Sequence, residues 1–140
     1  HKTDFDRWSE LGNDGWNYAE VLPYFKKSEN QERGADEFHG TGGELNVADL
    51  RCVNPMSNAF VEAGREFGFP LNKDFNGARQ EGFGFYQVTQ KGGKRCSAAA
   101  AFLKPILNRT NLTVKTNARV LRLNFDKNKV SSVEFVYQGK

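Results

Sequence analysis

A run of alternating residues constrains this chain more than any other feature. From Asn111 onward Leu112, Val114, Thr116, Ala118 and Val120 fall on one side and Thr113, Lys115, Asn117 and Arg119 on the other. A period of two is the signature of a strand with one buried face, because successive side chains of extended backbone point to opposite faces. The alternation continues through Leu121, Leu123 and Phe125, breaks at Asp126-Lys-Asn128-Lys, and resumes from Val130 to Tyr137 with Val133, Phe135 and Tyr137 on one side. Two such runs joined by a short polar turn predict an antiparallel hairpin.

The segment that feeds this hairpin packs a turn and a helix into a few residues. Gly92-Gly93 permits backbone angles that a side chain would oppose, so an extended segment can reverse there. Ser97 is the natural N-cap, its hydroxyl able to accept from one of the first free helix amides, and Ala98 to Ala101 lose almost no side-chain entropy on coiling. Pro105 limits the helix, since its ring clashes with the carbonyl four residues back. The prediction is a short helix from about Ala98 to Lys104, with Pro105-Ile-Leu-Asn as an irregular exit.

Further back, Asp4 to Gly15 reads as a loop, with Trp8 and Trp16 as apolar anchors on either side of the turn-rich run Leu11 to Gly15. Asn17 can cap a helix and Glu20 completes a capping box, with Val21, Leu22, Tyr24 and Phe25 at helical spacing. Pro23 leaves two readings: a first turn ending there, or a helix that starts near Leu22. Residues 26 to 37 are polar and read as a frayed helix end and a loop, and His39 to Gly43 as a flexible turn into a short strand, Glu44 to Val47. Asn54-Pro55 opens a helix whose apolar residues Met56, Phe60, Ala63 and Phe67 recur at three- and four-residue steps until Gly68 stops it. Pro70 to Gly84 reads as loop with a turn at Asp74 to Gly77, and Phe85 to Gln90 as a strand. The sum is an α+β chain of antiparallel sheet segments with three short helices.

Chemistry is harder to find. The 20 basic and 17 acidic residues are spread along the chain, which describes a solvated surface better than a nucleic-acid footprint. No run of 18 apolar residues exists to span a membrane and no secretory signal opens the chain, so the expected location is cytoplasmic, or membrane-peripheral for a longer parent. Starting at His1 and stopping just after a strand, the chain reads as an excised piece of a longer polypeptide. Cys52 and Cys96 read as reduced, partly buried thiols, and without a secretory context the sequons at Asn108 and Asn111 carry no weight. His39 lies in a glycine-rich loop with no carboxylate at a fixed helical offset and reads as a turn or surface residue. His39, Cys52 and Cys96 lack the paired short spacings of a zinc site. Neither Gly82-Phe-Gly84 nor Gly40-Thr-Gly42-Gly43 has the third glycine of a dinucleotide loop. Lys91 to Arg95 could hold an anion ahead of a helix but reads as a solvated turn, and Phe83, Phe85 and Tyr86 read as core before they read as a pocket lining.

Whole phrases carry more than single residues do. Asp4-Phe5-Asp6-Arg7-Trp8, Gly15-Trp16, Val21-Leu22-Pro23-Tyr24-Phe25-Lys26-Lys27-Ser28-Glu29, His39-Gly40-Thr41-Gly42-Gly43, Asn54-Pro55, Asp74-Phe75-Asn76-Gly77, Gln80-Glu81-Gly82 and the stretch from Gly92 to Val120 follow one another along all 140 residues. In that order they resemble an internal segment of the glucose-methanol-choline oxidoreductases, within them the choline dehydrogenase-like branch. The resemblance implies a longer enzyme with an FAD-binding domain and a substrate domain, oxidising choline or another primary alcohol by passing a hydride to the flavin, with a histidine near its C-terminal end as base. It implies that residues 1 to 95 belong to the substrate-domain part and 96 to 140 to the FAD-domain part. One position carries over: Val120, in Thr116-Asn-Ala-Arg-Val120, resembles a valine whose backbone meets the adenine of FAD. The family's pyrophosphate-binding glycine loop and catalytic histidine have no counterpart in these residues, so the expectation is a segment that neither holds FAD tightly nor turns over alcohol by itself. Faces left bare, including Leu112, Val114 and the apolar side of 130 to 137, predict self-association. The rival reading is a stand-alone binding or scaffold module that keeps the family's sequence without its chemistry.

Overall fold

The computed structural model describes residues 1–139. It contains α1 (Lys2–Glu10), α2 (Tyr18–Ser28), β1 (Glu29–Gln31), β2 (Leu45–Val47), α3 (Pro55–Glu66), β3 (Gln90–Lys91), β4 (Lys94–Arg95), a wide helical turn (Ala99–Leu103) tightening into a 3-10 turn (Lys104–Ile106), β5 (Ala118–Asp126) and β6 (Lys129–Tyr137). The α+β reading holds. One pairing departs from the antiparallel expectation: β1 and β2 are parallel, with Asn30 opposite Asn46. The chain divides into two compact units, His1–Pro105 and Ile106–Lys140.

In the first unit, α1 replaces the loop expected over Asp4 to Gly15. The His1 side chain accepts from the Thr3 amide and Lys2 pairs with Asp6 one turn on, so the helix has a cap and an i,i+4 pair. Phe5 and Trp8, three residues apart, meet edge to face at 5.3 Å on one side of it. The Trp8 and Trp16 rings do flank the turn at Leu11 to Gly15, with centroids 5.9 Å apart. Phe5 also reaches Phe25 of α2 at 5.7 Å, and Asp6 accepts from the Tyr18 amide at 3.1 Å, so α1 is pinned to the start of α2.

α2 begins where the capping box put it, with the Asn17 side chain accepting from the Glu20 amide at 3.0 Å. It then runs through Pro23, against both readings of that residue. The carbonyl deprived of a donor belongs to Ala19, which is exposed, so water can serve it at little cost. The helix ends directly in β1 instead of fraying into a loop.

α3 has the predicted limits and cap, Asn54 accepting from the Met56 amide at 2.9 Å. Its apolar stripe faces outward: Met56, Phe60 and Phe67 are 75%, 69% and 86% exposed. The residue it buries is Gly64, over which the Phe83 ring lies so closely that a methyl group there would come within 2.3 Å of it. Phe60 and Phe69 flank the same ring, which makes Phe83 the anchor of α3.

The expected strand from Phe85 to Gln90 is reduced to a bridge between Ala48 and Val88 and the two residues of β3. Just upstream, Phe83 exchanges backbone hydrogen bonds with Pro70 and Asn72 instead of joining an extended run. Gly92 and Gly93, at φ 57° and 77°, close the tight turn between β3 and β4 as predicted. Ser97 caps as expected, its hydroxyl accepting from the Ala100 amide at 3.2 Å. The helix does not stop short of Pro105. It opens to i to i+5 bonding, Lys104 donating to Ala99, and then tightens through the proline, a way of passing a residue with no amide hydrogen to give.

In the second unit, β5 and β6 pair in antiparallel fashion about the turn at Asp126 to Lys129, Val120 opposite Phe135 and Leu123 opposite Val133. The expected strand over Asn111 to Asn117 is absent, because Asn117 sits at φ 57° in the left-handed region and interrupts the extended backbone. Most described residues of this ribbon are exposed, Val120 at 56% and Val133 at 45%.

Candidate functional site

The first unit has a polar centre. α2 passes straight into β1, placing Glu29 at the junction. Beyond β1 the chain loops back, and Asp36 accepts from the amides of Phe38 and His39 at 2.7 Å each. Lys26 of α2 steadies the same loop by donating to the carbonyls of Asp36 and Glu37. These contacts aim His39 inward, where only 5% of the residue is exposed. Its Nδ1 lies 3.0 and 3.1 Å from the two oxygens of Glu29, and its Nε2 lies 2.8 Å from Asp74 Oδ2. Asp74 is held in turn by a loop of its own, donating its amide to Asn72 and accepting the Asn76 amide on its other oxygen.

His39 is therefore neither a surface residue nor one without a carboxylate, and that expectation is corrected. Its partners arrive from 10 and 35 residues away, beyond the reach of any local spacing rule. Burial works against charge on the ring, but the hydrogen bonds to Glu29 and Asp74 outweigh it, and its pKa is raised above the ordinary 6.5. Asp36 shows the same balance: burial opposes its charge, the two donated amides prevail, and its pKa lies below 3.8.

The glycines of His39-Gly40-Thr41-Gly42-Gly43 also acquire a physical role. A Cβ on Gly40 would sit 1.9 Å from the Lys26 carbonyl oxygen, and one on Gly43 would sit 2.4 Å from the Ser28 carbonyl carbon. Gly40 and Gly43 lie directly against the C-terminal end of α2, where no side chain fits. Below the loop, buried Asn46 donates to Glu32 at 2.8 Å and to the Gln90 carbonyl at 2.6 Å, while its own side-chain oxygen accepts from Asn30 at 2.7 Å. Among the described residues no buried side-chain polar atom lacks a partner.

Beside this centre lies a cavity of about 580 Å³ whose walls include Phe5, Tyr18, Phe25, Phe38 and Phe75, with Glu29 and His39 also on its lining. Phe83, Phe85 and Tyr86 are not among its walls; Phe83 packs on α3, and Tyr86 stacks on Phe75 while staying 68% exposed. Asp36, His39 and Asp74 bring one ligand atom each to within 4.8 Å of one another, which is a donor set a divalent cation could use. Both ring nitrogens and one oxygen of each carboxylate are already engaged by the protein, so the cluster is closed by its own hydrogen bonds. Cys96 is buried near the Glu44 carbonyl and Cys52 is exposed, both as free thiols. Lys91 to Arg95 form the exposed β3–β4 turn. Val120 stands in the ribbon of the second unit.

The sequence profile of the GMC oxidoreductases matches residues 1–140. The chain belongs to this family. Among its relatives, the alcohol dehydrogenase [acceptor] of Pseudomonas putida is 43% identical over 99% of the chain, and the mitochondrial choline dehydrogenase of Homo sapiens 42% identical over all of it. The crystal structure of pyridoxine 4-oxidase from Mesorbium loti superposes with a TM-score of 0.87 at 35% identity, covering 99% of this chain and 28% of that one. The chain spans 25% and 24% of the length of those two dehydrogenases, so it corresponds to a segment of a GMC enzyme. No helix among the described residues is long and apolar enough to cross a membrane.

Proposed function

We propose that this GMC segment is part of an FAD-dependent enzyme that oxidises an alcohol, choline or another primary alcohol, by hydride transfer to the flavin. The observation that carries the proposal is the match along the whole chain to relatives named for alcohol and choline oxidation. Residues 1 to 95 contribute substrate-domain framework and 96 to 140 a part of the FAD domain. The division of the chain into compact units between Pro105 and Ile106 supports a two-part role of this kind.

The segment's work is framework, because both ring nitrogens of its one buried histidine are already engaged by carboxylates of the chain itself. Val120 is the position assigned to the adenine of FAD. What supports it is the two-stranded ribbon: β5 has only β6 beside it, so one of its edges is open for a main-chain donor and acceptor, and the register shifts immediately after Val120. FAD would supply the hydride acceptor, and the residues here would fix only its adenine end.

The test uses the longer polypeptide that contains the segment. Purified with flavin and mixed anaerobically with choline or simple primary alcohols, it should lose its oxidised-flavin absorbance, and a flavin that stays oxidised with all of them would reject the proposal. The 140-residue chain should be colourless after purification, whereas tightly retained flavin would show that adenine and pyrophosphate contacts from elsewhere are dispensable. The bare apolar stripe of α3 and the exposed ribbon should make the isolated chain self-associate in light scattering.

A further inference from the structure

His39 ties together three pieces of chain through one side chain: Glu29 at the α2–β1 junction, its own loop, and Asp74 at the head of the Asp74–Gly77 turn. A neutral imidazole has one N–H and one lone pair, so it can donate to one carboxylate while presenting the lone pair to the other. Only the imidazolium donates to both. The neighbouring charges reinforce this: Asp36 lies against the His39 backbone, while Lys26, on the α2 side, is directed at the loop carbonyls and not at the ring. Phe75, Asn76 and Gly77, the residues that follow Asp74 in its turn, line the aromatic cavity from one side, and Glu29 and His39 line it from the other, so the bridge joins two parts of one cavity wall.

We propose that His39 is a proton-operated latch, holding the Asp74–Gly77 turn against β1 when doubly protonated and releasing one carboxylate, with loosening of that cavity wall, when it loses a proton. The raised pKa fits this geometry and sets the direction of the response. A histidine whose folded-state pKa lies above its unfolded one lends stability that is fully present below the unfolded value of 6.5 and fades as pH rises through the folded value. The latch therefore loosens toward alkaline pH. It is independent of which alcohol the whole enzyme oxidises.

The test is a pH titration of the longer polypeptide that contains the segment, selectively labelled and followed by NMR, reading the ring nitrogens of His39 and the backbone amides of Asp74 to Gly77. Expected are two protonated ring nitrogens near neutral pH, a deprotonation midpoint above the ordinary 6.5, and amide shifts at Asp74 to Gly77 that follow the same midpoint while β5 and β6 stay flat. Asp74→Asn, which keeps the shape but removes one charge, should lower the midpoint by about one pH unit or more. A His39 ring with an unprotonated nitrogen near neutral pH overturns the proposal, as do amides of the Asp74 turn that ignore its titration. The unmodified chain decides the matter even if Asp74→Asn does not fold.

Discussion

The two compact units of this chain are held by different kinds of contact. In the ribbon of the second unit, β5 and β6 pair residue by residue across a short turn, and side-chain links such as Asn124 to Ser132 and Arg122 to Glu134 join residues 8 and 12 apart. In the first unit the decisive contacts cross far larger separations: Arg33 donates to the Lys73 carbonyl 40 residues away, Asn46 donates to the Gln90 carbonyl 44 away, and His39 Nε2 meets Asp74 35 away. The first unit also buries polar residues, Gln31, His39 and Asn46, almost as often as apolar ones. A centre built from satisfied polar groups fixes one arrangement of its loops, because each group left without its partner is costly, whereas a largely exposed ribbon depends mainly on its turn and register.

If this contrast is right, the largest effect should come from His39→Ala. It removes the ring that bridges Glu29 and Asp74 and, if that ring is the proposed cation, should cost the first unit about 3–5 kcal/mol, the range for breaking a buried ion pair. Trp8 and Trp16 both lie in the first unit, so tryptophan fluorescence during denaturant unfolding reads it selectively. An unshifted midpoint would mean the polar centre is not what holds the unit. Next comes Gly40→Ala, whose added methyl collides with the Lys26 carbonyl; roughly 1–3 kcal/mol should be lost in the same assay, with the β5–β6 amides unchanged. A smaller effect is expected from pH. Raising it from the unfolded histidine value of 6.5 through the higher folded value should weaken the first unit by about 1.4 kcal/mol for each unit separating the two, while the ribbon, which has no histidine, stays level. Thermal melts across that range, with and without Asp74→Asn, would show it. The smallest effect should be Arg122→Ala: its pair with Glu134 is solvent-exposed at 3.2 Å, and its loss should change ribbon stability by less than about 1 kcal/mol. A larger loss, seen as hydrogen exchange along β5 and β6, would mean the ribbon also leans on its polar links.

The same contrast explains what could be read in advance. The hairpin, its turn, the Asn17, Asn54 and Ser97 caps and the Gly92-Gly93 reversal depend on residues within a few positions of one another, and all were legible. α1 was legible in principle, from Phe5 and Trp8 three apart and Lys2 and Asp6 four apart, but the turn signals at Leu11 to Gly15 outweighed them. The wide turn through Pro105 and the helix through Pro23 escaped because a proline's cost depends on whether the orphaned carbonyl finds another partner, which the sequence does not state. The cluster of Glu29, Asp36, His39 and Asp74 was illegible for a simpler reason. Only Asp36 and His39 are close in the chain, and the glycines between β1 and β2 that allow the others to approach look like ordinary turn residues until Lys26 and Ser28 are seen beneath them.

The sequence by itself determined the α+β character, the hairpin and its turn, the helix caps and, through its ordered phrases, membership of the GMC family. These follow from short-range sterics, hydrogen-bond supply and recognisable text. Tertiary structure decided which side of α3 is buried, where extended backbone ends at Asn117, and that the lone internal histidine is buried between two carboxylates instead of being a solvated loop residue. Those outcomes depend on burial and on partners brought together from distant parts of the chain, and a side chain's charge and exposure are properties of that assembly.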